Sequence, residues 1–172
     1  MMKPNSQSEV WLRGKIDDIP DLLQPVAHAL LQASEDIRKY TQYFPEELLW
    51  HKPAGRASVG FHLQHITGVM DRMLTYSEGK KLSEAQFSAL KNEGNPEIQT
   101  SLLNLVDISD EKIAYAINKL KSIDTSTLTQ SRTVGRKALP STVIGLLFHA
   151  AEHVQRHVGQ LLVTVSVLKE DK

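Results

Sequence analysis

Seven histidines are spread along the 172-residue chain, and five of them fall in two stretches. SVGFHLQHI carries His62 and His65, and FHAAEHVQRHVGQ carries His149, His153 and His157. Residues four apart lie one above another on a helix, so His153 and His157 pair, with His149 one turn earlier. Such a pair can hold one metal ion, because the ring nitrogens can converge at about 2.0–2.1 Å from it. A third imidazole from another helix would complete a facial set and leave coordination positions open. Open positions are what separate catalytic from structural metal sites. Neutral ligands leave the cation its charge, so a bound water becomes more acidic and a bound substrate atom is polarised. The chain has no cysteine, which excludes disulfides, a thiolate nucleophile and Cys-ligated zinc or iron–sulfur clusters. Any chemistry must use histidine, carboxylates, hydroxyls or a metal held by nitrogen and oxygen.

At about 100° per residue, the apolar centre of the last helix falls near Leu147, Val158 and Val165. The three histidines lie roughly 130° away, on a flank shared with Gln160 and Thr164. That flank faces either solvent or a cleft between helices. In the earlier stretch His62 sits nearer the apolar centre around Ile66, and His65 sits at the flank. The geometry therefore predicts a packed His62 and a His65 facing a polar cleft. Glu152 and Arg156 read first as an exposed ion pair, worth little stability. Glu152 is also a candidate general base beside a metal. Gln160, one turn beyond His157, is a candidate to orient a ligand or a water, or else makes a packing hydrogen bond. Arg72 lies roughly 20° from His65 in projection and could meet an anionic substrate, whereas Asp71 reads as a surface charge. His51, after Trp50, could hang over a cleft mouth; His28 reads as a flank residue, and Met70 and Met73 as core filler.

These residues need helices to position them. Leu22, Leu23, Val26, Ala29, Leu30, Ala33 and Ile37 recur at helical spacing and predict a first helix over about 19–43, with its start displaced toward Pro25 if that proline is not to break it. Ser58 is a plausible N-cap for a second helix ending before Gly79. Ser83-Glu84-Ala85-Gln86 has the form of a capping box and predicts a short helix over 83–91. Asn95 and Pro96 suggest a cap and a first-turn proline for a third long helix reaching about Ser122. Residues 123–140 form a long connection with room for local extended structure, and the fourth long helix is expected from Pro140-Ser141 to about Leu168. No convincing alternating strand stands out. The expectation is an all-α four-helix bundle over residues 17–170. It is preceded by a tail, residues 1–16, that docks through Trp11 and Leu12.

Twenty basic and twenty acidic residues cancel, so no bulk electrostatic case exists for nucleic acid or an anionic membrane. No run approaches the roughly 20 apolar residues of a membrane span, and the first residues lack a signal-peptide core. The expectation is a cytoplasmic protein.

Ser58-Val59-Gly60-Phe61-His62-Leu63-Gln64-His65-Ile66, followed by His153-x-x-x-His157-x-Gly159-Gln160, resembles the DinB-like (YfiT-like) superfamily of metal-dependent enzymes, over nearly the whole chain. The resemblance implies an up-down-down-up four-helix bundle. It also implies a divalent metal held by His65, His153 and His157; His149 matches a position often histidine in similar sequences. Characterised relatives include thiol-dependent S-transferases and a mycothiol-dependent isomerase, in which the metal activates the thiol of a small cosubstrate. A metal-bound sulfur is a thiolate at neutral pH and hence a nucleophile. Where similar sequences carry Trp before the helix-two Ser, this chain has Ala57, with Trp50 in the preceding loop for a related packing role. Where Arg often follows the last His, it has Val158, with Arg156 on the other side. The functional expectation is a metal-dependent hydrolase or thiol-dependent S-transferase-like enzyme. It would use zinc, nickel or iron and a low-molecular-weight thiol on a small-molecule substrate. A homodimer accords with similar proteins. The alternative is a non-catalytic metal-binding or interaction bundle of the same fold.

Overall fold

The structure, a computed structural model, describes residues 8–97 and 100–170. It is mostly helical, with four long helices around one apolar core. Helix α1 (Gln24–Thr41) buries Val26, Ala27, Leu30, Ala33 and Ile37 at three- and four-residue spacing. A 3-10 turn over Asp21–Leu23 precedes it. Pro25 therefore sits in the first turn, where its missing N–H has no intrahelical partner to lose. The helix begins at the displaced position and not at Ile19.

Helix α2 (Val59–Ser77) is capped by Ser58, whose Oγ accepts the Phe61 N–H at 3.1 Å. Helix α3 (Glu84–Asn92) carries both bonds of its capping box, between Ser83 and Gln86. Helix α4 (Leu102–Lys121) starts later than Asn95-Pro96 suggests. Its N-cap is Ser101, while the Asn95 side chain accepts the Glu97 N–H in a local turn. Asn caps such turns as readily as helices. Helix α5 (Val143–Glu170) likewise starts beyond Pro140-Ser141.

Those two residues instead belong to a strand. The connection after α4 folds into an antiparallel hairpin, β1 (Ser131–Val134) and β2 (Leu139–Thr142), with Thr133 opposite Pro140. A proline is tolerated here because both strands of a two-stranded ribbon are edges. Arg132 Nε donates to the Ser77 carbonyl at 2.7 Å, tying the hairpin to the end of α2.

Helix α2 packs on α5 and α4, and α1 packs on the same two. Leu63, Ile66, Met70, Ile113, Leu147, Val154 and Leu161 fill the space between them, each at most 2 % exposed; Met73 joins the same core. Of the predicted tail, residues 1–7 lie outside the described residues. The remainder docks through Val10, which is buried, and not through Trp11 or Leu12, which stay exposed. Gln32 Oε1 accepts the Val10 N–H, and the Gln24 side chain bonds the Ile16 and Ile19 backbone. His28 Nε2 meets the Gly14 carbonyl oxygen at 2.9 Å. Among the described residues, no helix is long and apolar enough to cross a membrane.

Candidate metal centre

His65 projects from α2, and His153 and His157 project from α5, the helix packed against it. One ring nitrogen from each of the three lies within 4.8 Å of the others. His65 Nε2 and His153 Nε2 are 3.0 Å apart. That separation is close to the spacing of neighbouring ligand atoms placed about 2.0–2.1 Å from one ion. The other nitrogen of His65, Nδ1, meets Glu93 Oε2 at 2.6 Å. A carboxylate can only accept, so the His65 proton stands on Nδ1 and the Nε2 lone pair faces inward.

His62 is the packed histidine, 3 % exposed, and its Nδ1 lies 3.1 Å from His157 Nδ1. This leaves Nε2 of His157 free of that bond. His153 Nδ1 is buried and without a hydrogen-bond partner. Burial, then the charge of neighbouring His65, pushes the His62 pKa down to about 4. Burial and the surrounding histidines push His157 down to about 3, and the same causes lower His153. Imidazoles that resist protonation suit a cation, because only the neutral ring offers a lone pair. On donor chemistry and spacing the three histidines fit a divalent ion.

Burial alone would raise the pKa of Glu93, but hydrogen bonds from His65 and Arg72 and the Arg72 charge outweigh it and hold the carboxyl below its usual value. Arg72 does not lie open to a cleft as the helix projection suggests; it is turned inward onto Glu93. It is buried, with Nη1 2.6 Å from Glu93 Oε1. Asp71 is likewise paired, at 2.7 Å from Lys112 Nζ.

Glu152 bridges His149 and Arg156, at 2.8 Å from each. With His149 and His153 it forms a second group able to hold a metal ion. Arg156 and Gln160 reach a neighbouring cleft of about 550 Å³, which His62, Arg56, Ala57, Gly159, Val163 and Thr164 also line. His51 is exposed on the loop before α2. Trp50 does pack at the start of α2, its ring lying over Gly60 so closely that no Cβ would fit there.

Residues 29–161 match the family model of the DinB superfamily. The chain belongs to the DinB superfamily. Two solved structures share the fold. A DinB-like protein from Bacillus cereus ATCC 10987 is 20 % identical, with a TM-score of 0.61 over 81 % of this chain and 91 % of that one. A protein from Streptococcus pneumoniae is 14 % identical, with a TM-score of 0.61 over 84 % of this chain and 88 % of that one. No curated protein matches the chain.

Within this DinB fold, Glu93 is the site residue that sequence reasoning missed. It stands 28 positions from His65, just past the end of α3, and no helical periodicity links the two. The one available signal was indirect. The capping box fixes where α3 lies, and hence where its last turn delivers the next side chain.

Proposed function

We propose that this DinB-superfamily protein is a metal-dependent enzyme acting on a small molecule, with a divalent ion held by His65, His153 and His157. The observation that carries the reading is the convergence of one ring nitrogen from each of three histidines on two packed helices. Three protein ligands leave positions open for substrate, as catalytic sites require. An ion held there supplies Lewis acidity and favours the deprotonated form of a water or a thiol. This serves either a hydrolase or a thiol-dependent S-transferase, with zinc, nickel or iron as the ion.

The protein's own groups define the rest. Arg56 and Arg156 line the adjoining cleft, and their guanidinium groups can receive a negatively charged part of the substrate. Gln160, on the same wall, can orient a bound molecule through its amide. Glu152, anchored by Arg156 and His149, is the carboxylate available as a proton acceptor beside His153. The scaffold reading that accompanies this is an up-down-down-up four-helix bundle forming one domain over residues 17–170. The packing of α1 and α2 each against both α4 and α5 supports it.

Elemental analysis of protein purified without a histidine tag tests the ligand set. About one divalent ion per chain is expected, and His153→Ala should release it. Full occupancy in a His65→Ala/His157→Ala double variant would overturn the assignment. A panel of low-molecular-weight thiols with model electrophiles, run beside simple ester and amide substrates, separates transferase from hydrolase. No metal-dependent turnover with any of them would defeat the enzymatic reading.

A further inference from the structure

Glu93 has a side chain only 7 % exposed, and its two oxygens have different partners. Oε1 takes the Arg72 guanidinium and Oε2 takes His65 Nδ1, each at 2.6 Å. Neutralising a buried carboxylate needs only the arginine. A site built for that alone would more naturally give both oxygens to the guanidinium fork.

The backbone is shaped to allow the divided arrangement. Gly68 lies one turn after Gln64 on α2, and a Cβ there would run into Glu93 Oε1 and Arg72 Nη1. A glycine inside a helix is destabilising relative to alanine, and here its bare Cα makes the berth for the carboxylate. Past Glu93, Gly94 takes φ +81°, a left-handed conformation natural to glycine. Its N–H donates to Gln64 Oε1 at 2.6 Å. Phe61, whose ring stacks on His65 at 5.3 Å and 12°, fills the space beside Gly94. The loop tip is thus clasped to the face of α2 that carries His65.

We propose that Glu93 is a positioning residue for the metal centre: its carboxylate pins the His65 proton on Nδ1 and aims the Nε2 lone pair at the ion. The inference rests on the reading of His65, His153 and His157 as ligands. A metal-binding imidazole commonly hands its outer N–H to a carboxylate, which fixes the ring and raises its basicity. Arg72 holds Glu93 in place, and the Gly68 berth lets it approach.

Two variants and two readouts test this. Glu93→Gln removes the charge with little change of shape. Gly68→Ala displaces the carboxylate while leaving every charge present and favouring the helix. Zinc affinity, measured by competition with a chromophoric chelator, should fall about tenfold to a hundredfold in Glu93→Gln and move the same way in Gly68→Ala. Nitrogen-15 NMR of the metal-free protein should show His65 as the Nδ1–H tautomer in the wild type and as a tautomer mixture in Glu93→Gln. If both variants bind zinc as the wild type does and His65 keeps one tautomer, Glu93 is only a structural partner of Arg72 and the proposal fails. If Glu93→Gln does not fold, Gly68→Ala decides. A wild-type chain that takes up no zinc would defeat the three-histidine reading instead, with the tautomer measurement still reporting whether Glu93 governs His65.

Discussion

The Nδ1 atoms of His62 and His157 lie 3.1 Å apart, so one ring donates a proton to the other. If His157 turns Nε2 to a metal, its own proton must stand on Nδ1 and His62 must accept it. His62 is then an outer support for His157, the counterpart of Glu93 for His65. His62→Phe keeps a ring of similar size in the core and removes the acceptor. Zinc affinity should fall about tenfold or more, with the helical circular dichroism signal unchanged. Chelator competition on the variant measures this, and wild-type affinity would show that His62 only packs.

Acid should destabilise the metal-free protein through the same histidines. In the unfolded chain they protonate near pH 6.5, but in the folded chain His62 waits until about 4 and His157 until about 3. Between those limits the unfolded state binds more protons, so stability falls as pH falls. Above about pH 6.5 neither residue contributes to the slope. Urea midpoints should therefore be level from about pH 8 to about pH 7 and drop from about pH 6 to about pH 4.5. A His62→Phe/His157→Leu variant should show a shallower decline. Equal slopes in the two proteins would dissociate these histidines from the acid sensitivity.

Much of the scaffold was legible because its signals are local. Ser58 and Ser83 announce α2 and α3 through side chains that bond their own backbone within three residues. Pro25 forces the start of α1 by the geometry of its own ring. The grouping of three histidines was partly legible for the same reason, since His153 and His157 share a helix face and His65 differs from His62 by its distance from the apolar centre. Signals shared between two structures misled. Asn95-Pro96 reads as a helix start but closes a turn, and Pro140-Ser141 opens no helix because Ser141 pairs with Arg132 across the hairpin. Burial in the docked tail falls on Val10 and not on the larger Trp11, because the backbone bond to Gln32 sets which face turns inward. The pairing of Arg72 with Glu93 stayed hidden because it is tertiary; projection on one helix gives direction but not what the next loop brings there.

Ser58 offers a test of how firmly α2, and with it His65, is anchored. Its hydroxyl is fully buried and accepts the Phe61 N–H. In Ser58→Ala that donor loses its side-chain partner. The expected loss is about 1–2 kcal/mol, read as a lower urea midpoint with an unchanged dependence on denaturant. A variant within a few tenths of a kcal/mol of wild type would mean that the first turn of α2 holds by packing alone.

Two glycines of α2 should respond differently to alanine, although a Cβ would be crowded at both. At Gly60 the obstacle is the Trp50 ring, a rigid body against the first turn of the helix. Relief requires moving the ring and the loop that bears it, so Gly60→Ala should cost on the order of 1–3 kcal/mol, as overpacking does. At Gly68 the obstacles are the far ends of the Glu93 and Arg72 side chains, which can swing aside. There the gain in helix propensity, up to about 1 kcal/mol, offsets the disturbance of the ion pair, and thermal stability should hold or rise. Melting temperatures of the two metal-free variants decide the matter. A drop at Gly68 as large as that at Gly60 would mean that the Glu93–Arg72 pair is held too tightly to yield, and that its displacement carries a folding cost as well as a cost in metal affinity.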